Sequence, residues 1–247
     1  MKKPPFILSV TSGKGGVGKT FVAANLAATL AKAGGKVLVV DCDLGLANID
    51  IMLGINPRYT LQDVIFGKMK LQDIIFPTKG GFDLIPSSSG VREMAQLLFE
   101  KIELIKSLIL SLDEYDVILL DTGAGIADMV LQFNLLAARN IVIINKELTC
   151  MTDAYSMIKV MFQVFGSDAF SIIVNSVADE KEAARLFSHL HSIGEKFLGI
   201  SLQYLGFIAR DDLVPLSIVR QELAVLAAPQ STLARNFLQI AAQLRPC

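Results

Sequence analysis

Between Gly13 and Thr20 the chain reads GKGGVGKT, which satisfies the spacing G-x-x-x-x-G-K-[ST] after the strand-like run FILSV and before the helical run FVAANLAATLAKAG. Gly13, Gly15, Gly16 and Gly18 let the backbone turn tightly, so that with Val17 they aim several N–H groups at one anion. The N-terminus of the following helix supplies further donors and a favourable dipole. Lys19 is thereby placed against the β and γ phosphates of a nucleoside triphosphate, and Thr20 can give its hydroxyl to Mg²⁺. Phe21, in the same first turn, completes the expected nucleotide-binding run.

Carboxylates stand at two further strand ends. Val117-Ile118-Leu119-Leu120 is an apolar run ending in Asp121, where an acid can hold a magnesium water; capping the next loop is its alternative role. KVLVV delivers Asp41 and Asp43, which face the same way because residues two apart on an extended chain share a side. One can support the metal shell while the loop carries the other toward an attacking water. Asp43 is the candidate for that catalytic role, with Asp41 secondary. An ordinary Asx turn at Asp43 is an alternative that spacing alone leaves open.

Such loops need a frame that gathers strand ends. FILSV, KVLVV, FDLI, YDVILL, NIVII, FSIIVN and YLGFI alternate with helix-period segments, the pattern of parallel strands joined by crossovers. The strands are apolar throughout, as expected when helices cover both faces. The reading is an α/β fold, three-layered and doubly wound around a mainly parallel sheet, in a single domain spanning 1–247. Apolar residues from Val91 to Leu112 recur at three and four spacing and predict one core-packing helix, preceded by a capping turn over Ser87–Gly90.

Composition removes several classes. Net charge is −1, the pI is about 6.1 and no block of five like charges occurs, so no electrostatic nucleic-acid surface is advertised and DNA is not an expected partner. Mean hydropathy is +0.51, yet apolar runs are short and broken by charge, and the start lacks a cleavable leader, which predicts a cytoplasmic protein. Cys42, Cys150 and Cys247 form no CxxC pair and read as reduced thiols. His189 and His191, two apart on a predicted helix, point to different faces and make a poor metal pair. Leu233, Phe237, Leu238, Ile240, Ala241 and Leu244 give the last helix an apolar face; with only Arg235 and Arg245 basic, core packing is favoured over a lipid anchor.

Lys14 distinguishes this loop from a general P-loop: KGGVGKT resembles the deviant Walker A motif of the MinD/ParA family. D-x-D-x-G-L-x-N from Asp41 to Asn48, DTGAGI from Asp121 to Ile126 and IIVNSV around Asn175 extend the resemblance over nearly the whole chain. It implies an ATPase of low intrinsic rate using ATP and Mg²⁺ as an ATP-dependent homodimer, with Lys14 reaching the partner's nucleotide. It also implies that Thr20, Asp43 and Asp121 serve the metal. Asn175 would read adenine, helped by the loop of Ile208, Ala209 and Asp211 that closes over the base.

GLANIDIMLG, TLQDVIFGK, IPSSSGVREMA, LTCMTDAYSMIKVM and STLARNFLQIA are most similar to the FlhG/FleN branch. That branch implies a regulator of flagellar number or placement, or of another cell-surface machine, with a flagellar regulator or basal-body component as partner. Partition or division-site ATPases, and a nucleotide-locked binding module with negligible turnover, are the alternatives. Lys146, Leu148 and Ala209 stand where relatives usually have proline, and Gly123 where MinD has one. The sequence shows neither the Gln-rich activator motif of some FlhG proteins nor a terminal amphipathic helix, so a peripheral seat on the inner membrane face has no visible anchor.

Overall fold

The computed structural model describes residues 4–43, 48–87 and 101–244. Its frame is one eight-stranded sheet in the order β3-β4-β2-β5-β1-β6-β7-β8. The strands are β1 (Phe6–Ser12), β2 (Val37–Cys42), β3 (Phe76–Pro77), β4 (Asp83–Ile85), β5 (Val117–Ala124), β6 (Arg139–Ile144), β7 (Phe170–Val177) and β8 (Gln203–Ala209). All seven predicted strands are present, and every pairing is parallel except β3 with β4. β3 was not foreseen, because two residues at an edge leave no periodicity to read.

Among the described residues the helices are α1 (Lys19–Lys32), α2 (Ile49–Leu53), α3 (Leu61–Ile65), α4 (Ile102–Leu110), α5 (Asp128–Leu136), α6 (Leu148–Phe165), α7 (Glu180–Leu198), α8 (Leu213–Arg220), α9 (Ala224–Ala227) and α10 (Thr232–Gln243). A 3₁₀ turn spans Leu71–Ile74. Of the helix expected over 91–112, residues 102–110 are helical as α4, and 91–100 lie outside the described residues. So do Ser88, Ser89 and Gly90 of the predicted capping turn, Gly45, Leu46 and Ala47 of the acidic-loop motif, and the terminal Arg245 and Cys247.

The sheet is buried on both sides. Val37 and Val39 of β2, with Val117 and Leu119 of β5, enter one apolar cluster with α1, whereas Leu38, Val40, Ile118 and Leu120 enter the other with α3 and α4. This alternation is why the strands read as unbroken apolar runs. Eleven of the fourteen α1 residues are buried, and only a helix rich in alanine can be enclosed on so many sides. The Asn25 amide, buried mid-helix, donates to the Phe21 carbonyl and accepts from the Val225 N–H, which pins α1 to α9. α10 packs as a core helix: Leu233, Phe237, Ile240, Ala241 and Leu244 are buried and Phe237 meets Phe21 edge-on at 6.1 Å, but Leu238 of the predicted face is exposed. No described helix is long and apolar enough to cross a membrane.

Candidate functional site at the carboxyl ends of the central strands

β1 lies mid-sheet between β5 and β6, so the loop leaving its carboxyl end is flanked by two other strand ends. That loop is the predicted glycine-rich run. Gly18 precedes α1 at φ 95°, a left-handed conformation that glycine adopts without steric penalty, and no side chain caps the helix. Gly13 packs against the α6 backbone so closely that a Cβ there would lie 2.1 Å from the Asp153 carbonyl carbon. The loop is thus wedged between two helices.

Its lysines are held differently. Lys19 is buried, with Nζ donating to Ser12 Oγ at 3.1 Å, while the Ser12 hydroxyl donates to the Lys14 carbonyl at 2.7 Å. Burial pulls the Lys19 pKa down, and the nearby Asp121 and Asp43 carboxylates oppose that shift. Lys14 is half-exposed and turned away from the phosphate cavity: its ammonium donates to Glu147 Oε2 and, at 2.9 Å, to Thr149 Oγ1, both at the start of α6. That pair raises the Lys14 pKa and lowers that of Glu147 through the hydrogen bond and Coulomb attraction between them.

The acids assemble beside the loop. Asp41 and Asp121 are register partners across β2 and β5, both buried, and each has one carboxylate oxygen without a partner: Asp41 Oδ2 and Asp121 Oδ1. Burial pushes both pKa values up. Repulsion by Asp121 adds to the rise at Asp41; at Asp121 the Thr20 hydroxyl and Lys19 counter it. Two orphaned oxygens on desolvated carboxyls, with a threonine hydroxyl bonded to one of the groups, are a donor set for a hard divalent cation, so the residues present fit Mg²⁺. Asp43 lines the same cavity, its N–H bonded to Asp41 Oδ1 at 3.0 Å, and a Cβ on Gly123 would come 3.7 Å from Asp43 Oδ1. Gly125 N–H donates to the Ser12 carbonyl, which draws the DTGAGI segment against the glycine-rich loop.

The half-open cavity measures about 860 Å³, ample for a nucleotide, and Gly15, Gly16, Gly18, Lys19, Thr20, Phe21 and Asp43 are among its walls. A family model described as "AAA domain" matches residues 6–164. Antiactivator FleN of Pseudomonas aeruginosa is 37% identical over 239 residues, covering 96% of this chain and 85% of FleN. Flagellum site-determining protein YlxH of Helicobacter pylori is 32% identical, covering 96% of this chain and 81% of YlxH. The septum site-determining protein MinD of Pyrococcus horikoshii, solved with Mg-ADP, superposes with a TM-score of 0.80 at 27% identity, covering 96% of this chain and 95% of that one.

The chain belongs to the MinD/ParA family of P-loop ATPases. It is an MgATP-using ATPase on its FlhG/FleN-like side. The MinD/ParA residues on the base side are placed apart from the phosphate cavity. Asn175 Nδ2 donates to the Val17 carbonyl at 2.7 Å and sits flush on Gly18, so the side chain is tied to the loop by its donor end. Ile208 is fully buried and does not line the phosphate cavity. Ala209 N–H donates to Asn236 Oδ1, and Asp211 Oδ1 accepts from Leu213 N–H, a tight turn leading into α8. Phe21, though at the cavity wall, is otherwise packed in the core. Sequence reasoning overlooked Ser12 and Glu147. Ser12 could have been noticed as the polar residue ending an apolar strand before the loop, and Glu147 as the one acid between the two proline replacements Lys146 and Leu148.

Proposed function

We propose that the chain is a dimerisation switch in which MgATP joins two copies face to face and slow hydrolysis separates them, and that it regulates flagellar number or placement. The observation that carries the switch is the attitude of Lys14: a P-loop lysine that is half-exposed, held by Glu147 and Thr149 at the rim, and absent from the wall of its own phosphate cavity. Such an amine is available to a second copy's nucleotide. The flagellar assignment is supported by the similarity to FleN and YlxH over nearly the whole chain.

The residues divide the work. Backbone N–H groups from Gly13 to Thr20 cradle the phosphates, and Lys19 exchanges Ser12 for phosphate oxygens. Thr20 and Asp121, with Asp41 and Asp43 nearby, would hold Mg²⁺, which would neutralise phosphate charge. Asp43 orients the attacking water. Asn175, with one of its two amide N–H groups committed to Val17, offers Oδ1 to an exocyclic amine such as that of adenine. The site of action is the cytoplasm, with a protein partner recognising the dimer.

Light scattering with and without MgATP is the direct test. Lys14→Ala should bind nucleotide yet stay monomeric, whereas Asp43→Ala should accumulate as a dimer, because losing water placement raises the barrier without removing phosphate contacts. Parental dimerisation by Lys14→Ala, or parental hydrolysis by Asp43→Ala, overturns the switch. Counting flagella in cells deleted for the gene tests the biological role; an unchanged number and position rejects it.

A further inference from the structure

Gln221 ends α8 in the left-handed region, at φ 54° and ψ 44°. Among the described residues only it and Ser176 hold positive φ without being glycine. A long side chain kept in a disfavoured backbone state calls for a compensating contact. Here Gln221 Nε2 donates to the Ile51 carbonyl of α2 at 3.0 Å. The same carbonyl accepts the Gly54 N–H that closes α2, so the second contact uses its remaining lone pair. The fit is close on both sides: a Cβ on Gly54 would lie 2.7 Å from Gln221 Oε1 and 3.0 Å from its Cβ.

The place of this contact gives it meaning. α2 begins six residues after Asp43, and Asn48, Ile51 and Met52 line the phosphate cavity. α8 follows the turn at Asp211, and its Ile218 and Val219 line the same cavity. Gln221 lines this cavity and also the neighbouring one of about 660 Å³, so its amide forms part of the partition between them.

We infer that Gln221 is a positioning residue for hydrolysis: its side-chain amide ties the helix behind the base-side turn to the helix behind Asp43, so that the water-orienting carboxylate is set from across the cavity. The kinetic consequence rests on the hydrolytic role given to Asp43 above; the effect on α2 order does not.

Gln221→Gly relaxes the backbone strain and removes the tie, so melting temperature should hold or rise while kcat falls about fivefold, the size of one neutral hydrogen bond. KM for MgATP should change less than about twofold, because the phosphate cradle is untouched. Gln221→Glu keeps length and packing but turns the donor into an acceptor facing a carbonyl, and should lose as much kcat as the glycine variant. Gln221→Lys keeps a donor of sufficient reach and should retain most of the parental rate. In the nucleotide-free protein, deuterium uptake at the Met52, Gly54 and Ile55 amides should rise in the Gly and Glu variants and stay parental in the Lys variant.

A parental kcat in Gln221→Glu, or a loss in Gln221→Gly matched by a fall in melting temperature, reduces Gln221 to packing and overturns the inference. Unchanged deuterium uptake overturns it as well. If the parent hydrolyses no ATP, the hydrolytic reading fails and the exchange measurement decides on the tie by itself.

Discussion

Glu147 and Ser12 each bond a lysine of the glycine-rich loop, but with different consequences. Ser12 and Lys19 are buried together, so exchanging that bond for phosphate would take place inside the loop. Lys19→Ala removes a buried cation from the cavity wall, and titration calorimetry should show MgATP affinity falling about ten- to a hundredfold, as for a charge-assisted bond. An unchanged affinity would dismiss the phosphate role. Glu147, by contrast, competes for Lys14 at an exposed rim. Glu147→Gln should lower the ATP concentration needed for half-maximal dimerisation by up to about fivefold at low salt, with the gain disappearing near 1 M salt, since an exposed pair is weak and screened. A gain that persists at high salt would mean that charge is not what holds Lys14 back. Lys14, Lys19, Thr20, Asp43 and Asp121 could be singled out because each belongs to a motif of fixed spacing, in the glycine-rich loop and its helix or at a strand end. Glu147 was not, since its partner lies 133 positions away and no local pattern records that meeting.

Among the elements, the approach of the glycine-rich loop to α6 is the tightest fit at the site. Gly13→Ala would drive a methyl group into the Asp153–Ala154 peptide, and backbone cannot move aside as a side-chain tip can. Denaturant unfolding should report a loss of about 1–3 kcal/mol, the usual cost of overpacking. Nucleotide affinity should fall with it, because the loop is displaced along its whole length. A stability within experimental error of the parent would show that α6 yields freely. The strands themselves were readable because continuous apolar runs bounded by turns have few other uses. Where the reading was thinner, the reason is physical. β3 is two residues long, and α2, α8 and α9 are short helices whose faces are shared among the sheet, α1 and the cavities, which leaves no clean period of 3.6. The base-side turn was placed by resemblance alone, because no local spacing records that Ala209 meets Asn236, 27 positions away.

For the whole molecule, strand order imposes a schedule. β1 carries the glycine-rich loop and is the first strand made, yet it is the centre of the sheet: Phe6 pairs with Val117, and Leu8 pairs with Arg139. At ordinary synthesis rates of about 5–20 residues per second, roughly ten seconds separate translation of the loop from translation of both neighbours that flank it. During that interval the nascent chain carries the complete GKGGVGKT motif but no sheet to hold it, so it should not retain nucleotide. Ribosome-stalled chains of graded length should acquire MgATP-dependent protease resistance only once β6, through Ile144, has emerged; resistance in chains ending before Val117 would contradict this. The central position of β1 therefore works as a proofreading step in time. A copy still lacking β5 and β6 would have no frame for the glycine-rich loop, so nucleotide loading would wait for the two strands that flank it.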